Sequence, residues 1–358
     1  MNGEAIRRRV QAISRKMKKA GMNCLLITKP ANVSYTTGFM GEDSWAAVIN
    51  SRSFLITDSR FTEQAEKECP ICNIIERHEP LAEAAAKIIK KYKSVRNVSV
   101  ENSTSVADYT QIKKAFKMPI KAAGSIIEDI RSVKDKGEYA ILQAAADIAS
   151  EGLAQTVPLI KPGMTESELA GMVDFQIRKL GAMNGFETIV AFGPNASRPH
   201  HQPGPRKLKK NDTILIDFGA KYQGYRSDIT RCFVVGKPSS YYMKVFGVVE
   251  KAQAAAIKLM KAGAPLREVD AAPREVIKQS GLPVYGHGSG HGIGWEIHEN
   301  PFLKPEATDV LQAGQILTIE PGIYMPNKLG VRLEDDILIT ETGCKILTKN
   351  CPHSPLLI

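Results

Sequence analysis

Apolar residues recur at helical spacing near the start of the chain, where Ile6, Val10, Ile13 and Met17 fall on one side, and then run unbroken through Cys24–Ile27. The first pattern predicts an amphipathic helix and the second a buried strand. A polar loop is expected over residues 32–40, then a strand pair at 46–49 and 53–57, a helix over 81–92 and a short strand at 97–100. Alternation of this kind predicts an α/β domain. A stretch of mixed charge between Gly124 and Gly137 marks the expected boundary, giving domains of 1–130 and 131–358. Beyond it, helices are expected over 138–157 and 166–180, broken apart by Pro162 and Gly163.

After Gly185 the pattern becomes one of short apolar strands, at 188–191, Thr213–Phe218, 224–235, 315–319 and 331–340. Helices at 242–262 and 266–280 interrupt them. The whole reads as α+β, with a largely antiparallel sheet in the second domain and no internal repeat or low-complexity tract.

Composition narrows the function classes. With 43% hydrophobic and 24% charged residues, the chain is an ordinary globular one. No stretch approaches the roughly eighteen apolar residues of a spanning helix, and no apolar segment follows the basic residues of the first ten positions. A cytoplasmic location is the default expectation, with no membrane partner. The net charge of +10 is spread along the chain apart from 7–19 and 206–210, as expected of solvated faces, so nucleic acid is not an expected partner. Of the six cysteines, Cys69 and Cys72 have zinc-ligand spacing, but no second pair matches them. Reduced thiols are the expectation.

Candidate chemistry lies in the second domain. In IDFGAKYQGYRSDITR, Asp217 and Asp228 flank a hairpin; a turn centred between Tyr222 and Gln223 sets them directly opposite each other. Opposed carboxylates repel, so the pair needs a cation, a shared proton or a basic partner such as Arg226 or Arg231. Both readings stay open for this pair alone. TIEPGIY and GVRLEDD offer a second pair, Glu320 and Glu334, with Pro321 re-aiming Glu320 and Arg332 sharing the face of Glu334. GHGSGHGIGWEIHENP alternates glycine with His287, Ser289 and His291, and His298 follows. Glycine at that density excludes a helix and points to close approach of backbone or ligand. Carboxylates with one imidazole suit Mn²⁺, Fe²⁺, Co²⁺ or Zn²⁺. Four carboxylates balance two divalent ions, and ions that close can share a hydroxide acidified toward neutrality.

These motifs, in this order and together with FGPNASRPHHQPG, resemble those of the pita-bread metallopeptidases: aminopeptidase P, prolidase and methionine aminopeptidase. The resemblance is strong over 186–347 and looser over the N-terminal part. It implies a C-terminal pita-bread fold behind an N-terminal creatinase-like domain, and two divalent metal ions, Mn²⁺ first. Asp217 and Glu320 would be terminal ligands, Asp228 and Glu334 bridging ones, and His291 would complete the set. Glu320 would take the proton of the bridging water. His200 and His298 would line the cleft and hold the substrate carbonyl, His287 would line the subsite for the first residue, and Arg332 would orient the ligands.

The N-terminal domain directs the resemblance to the Xaa-Pro branch, with peptides bearing proline at the second position as substrates and a homodimer as the expected assembly. The segment 35–45 is a candidate contact to a partner's cleft. Two departures stand out: Cys232 replaces a usual Thr, and Phe302 stands where some dipeptide-cleaving prolidases carry Arg. The second places an Xaa-Pro aminopeptidase ahead of an Xaa-Pro dipeptidase. A metal-free creatinase-like enzyme and a non-catalytic binding module rank lower, because both predict lost carboxylates.

Overall fold

The computed structural model describes residues 3–353, which form two compact units, the first running through Arg131 and the second from Ser132. In the first unit the helix Gly3–Lys19 buries Ile6, Val10, Ile13 and Met17, as its spacing requires. Six strands form one mixed sheet in the order Asn73–Glu76, Arg52–Thr57, Trp45–Ile49, Cys24–Ile27, Val98–Val100, Ile120–Ala122. Leu81–Ile89 and Val106–Phe116 pack alanines, Ile112 and Phe116 onto it.

The expected polar loop at 32–40 is instead mostly helix, Pro30–Thr37, opened by a proline in its first turn and closed by Gly38 at φ 87°. Two of its buried polar residues have partners inside: Asn32 Nδ2 reaches Glu101 Oε1 at 2.5 Å and Thr37 Oγ1 donates to Val33 O at 2.8 Å. Without an apolar stripe, helical periodicity had nothing to detect. Tyr35 lies buried with the Arg9 guanidinium 4.2 Å from its ring centre, so it is not offered as an exposed contact.

In the second unit, two helix pairs, Lys136–Thr156 with Glu166–Lys179 and Ser240–Leu259 with Leu266–Gln279, pack against antiparallel sheets. One sheet has the order Ile229–Val234, Thr213–Phe218, Ile189–Phe192. Another has the order Glu299–Leu303, Gly290–Gly292, Ile316–Ile319, Asp335–Ile339, Cys344–Ile346. Among the described residues a β-bridge from Thr230 to Glu334 links the two.

The structure corrects one sequence expectation: this unit contains a repeat. Each helix pair is joined by a glycine with positive φ, Gly163 and Gly263, and each second helix is followed by another, Gly181 and Gly281. The Gly163 amide donates to Leu208 O as Gly263 donates to Leu311 O. Leu208 and Leu311 answer with bonds to Met164 O and Ala264 O. Equivalent backbone bonds recur one hundred positions apart in the helices, while few side chains match. Backbone geometry repeats where the side-chain pattern does not, and so it escaped the sequence.

Candidate metal centre

The first carboxylate pair is set by a hairpin whose turn falls at Gln223–Gly224, one position later than expected. Both turn residues have positive φ, 46° and 89°, which a two-residue turn matching strand twist demands and which the second position meets with glycine. The register therefore pairs Asp217 with Thr230, not with Asp228. Asp228 lies two residues before Thr230, so the carboxylates share a face as diagonal neighbours.

Asp217 Oδ2 is held by Arg332 Nη2 at 2.5 Å, while its buried Oδ1 has no hydrogen-bond partner. The two basic candidates from the sequence bond other groups among the described contacts. Arg231 turns to Asp335 at 2.7 Å, and Arg226 bonds Gly185 O and Trp295 O.

The second pair comes from one long hairpin. Ile319 pairs with Asp335 and Gly322 with Arg332, a single register in which Glu320 stands opposite Glu334. Pro321 cannot donate to the ladder and interrupts it there. Glu334 Oε2 accepts from Thr230 Oγ1 at 2.6 Å, and Thr230 Oγ1 accepts from Arg332 Nε at 3.0 Å. Thr230 was not picked out from the sequence, although its spacing of two from Asp228 was the available signal.

The glycine-rich segment forms the strand Gly290–Gly292, wedged between two others. His291 Nδ1 lies 3.1 Å from Gly292 O and must be the donor to that carbonyl, which leaves Nε2 without a proton. That bare nitrogen faces Asp228 Oδ2 at 3.6 Å and Glu320 Oε1 at 3.7 Å. Burial first, then His298, pulls His291 down to about 4, so the ring is neutral near pH 7.

His287 stacks on Tyr285, contacts Tyr324 OH at 3.1 Å, and places Nδ1 4.0 Å from Glu320 Oε2. Buried Asp270 ties this segment down: it accepts from Ser289 N and Oγ and is gripped by both ends of Arg274, which also bonds the carbonyls of Tyr285 and His287. The sequence did not mark this anchor, since Asp270 and Arg274 look like an ordinary i, i+4 pair.

Asp228, His291 and Glu334 each offer a ligand atom within 4.8 Å of the others. Around them the carboxylates strain against one another. Burial raises Asp228 and Glu334 well above the usual range, and each is raised further by Asp217, by Glu320 and, for Asp228, by Glu334. Burial lifts Glu320 to about 8, with Arg332 opposing and Asp217 adding to the rise. A lone pair and buried carboxylates converging on one point, with Asp217 Oδ1 unsatisfied, fit a divalent cation.

Of the remaining expected residues, His298 is exposed with its ring 4.4 Å from that of His291, and exposed His200 is near enough to depress both His287 and His298 electrostatically. Cys232 is buried and donates to Arg332 O.

The raised carboxyls predict a pH dependence. A group whose folded pKa lies above its unfolded value contributes fully below the unfolded value, and that contribution is lost as pH rises through the folded one. For Glu320 this window runs from the ordinary glutamate range up to about 8. The metal-stripped protein is therefore expected to show a falling Tm from about pH 5 to about pH 8.5. Saturating divalent metal should flatten or reverse the slope, since deprotonated ligands bind it best. Scanning calorimetry at matched ionic strength reads both; a metal-free Tm that climbs across the window contradicts this account.

Residues 140–341 match the family model of metallopeptidase family M24, and residues 9–133 that of the creatinase/prolidase N-terminal domain. An Xaa-Pro dipeptidase of Pyrococcus horikoshii is 33% identical over 95% of this chain and 97% of its own. Among solved structures, an Xaa-Pro dipeptidase from Bacillus anthracis superposes with a TM-score of 0.93 at 32% identity, over 99% of this chain and 100% of that one. An X-Pro aminopeptidase from Thermotoga maritima gives 0.88 at 33% identity, over 96% and 99%.

Proposed function

The chain belongs to metallopeptidase family M24, and from that premise we propose that it is a metal-dependent Xaa-Pro dipeptidase, cleaving dipeptides whose second residue is proline. The observation that carries the metal chemistry is Nε2 of buried His291 facing the carboxylates of Asp228 and Glu320 at 3.6 and 3.7 Å. The names of two relatives, each aligned along nearly the whole chain, support the dipeptide substrate. This reverses the order expected from the sequence, where Phe302 favoured an aminopeptidase. That second reading keeps one observation in its favour: Phe302 pairs across from His291 and is 40% exposed, offering an apolar wall rather than a cation for a free carboxylate.

In this proposal Asp217, Asp228, His291, Glu320 and Glu334 hold two divalent ions, Mn²⁺ before Co²⁺, Zn²⁺ or Fe²⁺. Such ions supply Lewis acidity to the scissile carbonyl and acidify water toward neutrality. Glu320 accepts the proton of the attacking water at its carboxylate and passes it to the departing proline nitrogen. His200 and His298 donate ring N–H groups to the carbonyl oxygen as charge develops there. Arg332 holds Asp217 and Thr230 in place, and His287 lines the subsite for the first residue. A proline nitrogen brings no N–H to the subsite, which can therefore be apolar and imidazole-lined. The homodimer implied by the family resemblance belongs to the same proposal and is read by sedimentation.

Hydrolysis of an Xaa-Pro dipeptide compared with an Xaa-Pro-Yaa tripeptide, across Mn²⁺, Co²⁺, Zn²⁺ and Fe²⁺, tests the reading. The expected result is dipeptide cleavage at least about tenfold faster in kcat/KM, lost with chelator and restored by Mn²⁺. Preference for the tripeptide selects the aminopeptidase, and metal-loaded protein that cuts neither overturns both.

A further inference from the structure

The segment 193–204, which carries His200, is pinned by one acid that the proposed chemistry does not use. Glu166 opens the helix Glu166–Lys179 and is wholly buried. Its Oε1 accepts from Phe192 N and Asn195 Nδ2, both at 2.8 Å. Its Oε2 accepts from His201 Nε2 at 2.8 Å and Gly204 N at 3.1 Å. An ionised carboxylate has about four lone-pair sites and no donor, so this one is saturated. Two of its bonds lie at the start of the segment and two at the end, and His201 adjoins His200 directly. Burial pushes the Glu166 carboxyl up, but the bonds from His201, Phe192, Asn195 and Gly204 outweigh it and hold the group below the ordinary glutamate value.

The other side of the segment rests on the hairpin that carries Arg332. Arg332 Nη1 donates to Pro199 O at 3.3 Å, and Asn327 N to Ser197 Oγ at 3.3 Å. At Gly330 an added Cβ would stand 1.7 Å from Ala196 O, so the two backbones touch. The stretch 195–199 is thereby seated on the metal side; at the far end Ser167 holds Pro203 O and Gly204 O, and the side-chain grip on His201, next to His200, comes from Glu166. Helix N-termini often carry an acid that merely faces the helix dipole. Thr165 and Glu168 already form the capping box here, and Glu166 turns inward to the segment.

We propose that Glu166, acting through His201, is a positioning residue that holds His200 at the substrate carbonyl. The inference rests on the role assigned to His200 above, and a displacement of about 1 Å at such a group can cost about a hundredfold in rate. A glutamine at this position keeps the shape but turns an NH₂ toward two of the four donors, His201 and Gly204 or their counterparts.

Amide hydrogen exchange and kinetics on the metal-loaded full chain test the proposal. In Glu166→Gln, and in the milder His201→Gln, exchange across 193–204 should quicken at least about tenfold while the strand Thr213–Phe218 stays protected. For Xaa-Pro dipeptide, Glu166→Gln should lower kcat about ten- to a hundredfold with KM within about threefold. Added to His200→Ala it should cost no more than about threefold beyond His200→Ala alone, because the clamp acts through the ring already removed. Unchanged exchange in both variants, or losses that multiply in the double variant, overturns the proposal. A wild-type protein that cleaves no Xaa-Pro peptide would instead sink the functional reading, and the exchange experiment would still decide the clamp.

Discussion

Glu320→Gln is expected to lower kcat/KM on Xaa-Pro dipeptide by about a thousandfold or more, while the chain stays folded. Loss of a proton acceptor by itself costs on the order of a hundred- to ten-thousandfold. Glutamine also withdraws the negative charge that balances one of the two proposed ions, so metal content should fall below two per chain. The fold should survive for a physical reason: with its pKa lifted to about 8, Glu320 is mostly protonated in metal-free protein near neutrality, and glutamine resembles that protonated form. Metal-free Glu320→Gln should also lose part of the decline in Tm between pH 5 and 8.5. Kinetics, elemental analysis and calorimetry on one preparation read all three. Activity within about tenfold of wild type would remove Glu320 from its proposed role, whereas His298→Ala is expected to cost less, about ten- to a hundredfold.

The second large effect is expected at a residue with no functional group. In Gly290→Ala the new Cβ would lie 2.1 Å from Thr318 O, a backbone atom in the neighbouring strand. That contact is impossible without moving the two strands apart. The same strand pair joins the halves of the site: His291 N bonds Thr318 Oγ1 at 3.1 Å and Glu320 N bonds Ser289 O at 2.9 Å. Separating them pulls His291 away from Glu320. Overpacking of this kind destabilises by about 1–3 kcal/mol or more, and activity should fall at least about a hundredfold with metal lost in parallel. Gly286→Ala is the control from the same motif: no atom lies within 4 Å of its added Cβ, and it should be close to neutral. Equal behaviour of the two variants in Tm and metal content would contradict the explanation.

Much of the candidate site was legible without coordinates because of where its charges sit. Asp217 lies near the end of an apolar strand and Glu320 directly follows one, and charges there demand partners. Glycines at 286, 288, 290 and 292 announced backbone contact around two histidines, and Gly290 and Gly292 do abut neighbouring strands. The helices were legible where apolar residues kept their spacing, as in Gly3–Lys19, and not where a helix was polar yet buried, as in Pro30–Thr37.

What the sequence determined by itself was the inventory: residue types able to bind metal, the strands that end on them, and the family they resemble. Tertiary structure decided the pairings. The one-position shift of the turn to Gln223–Gly224 set Asp217 opposite Thr230, and the partner of Asp217 came from the distant Arg332 rather than from Arg226 or Arg231. Glu166 and Asp270 looked like ordinary helix-surface acids, yet each lies buried and anchors a histidine-bearing segment. The reason is physical. Local spacing fixes which face a side chain takes, but whether a charge meets water, a cation or another chain segment depends on residues far away in sequence.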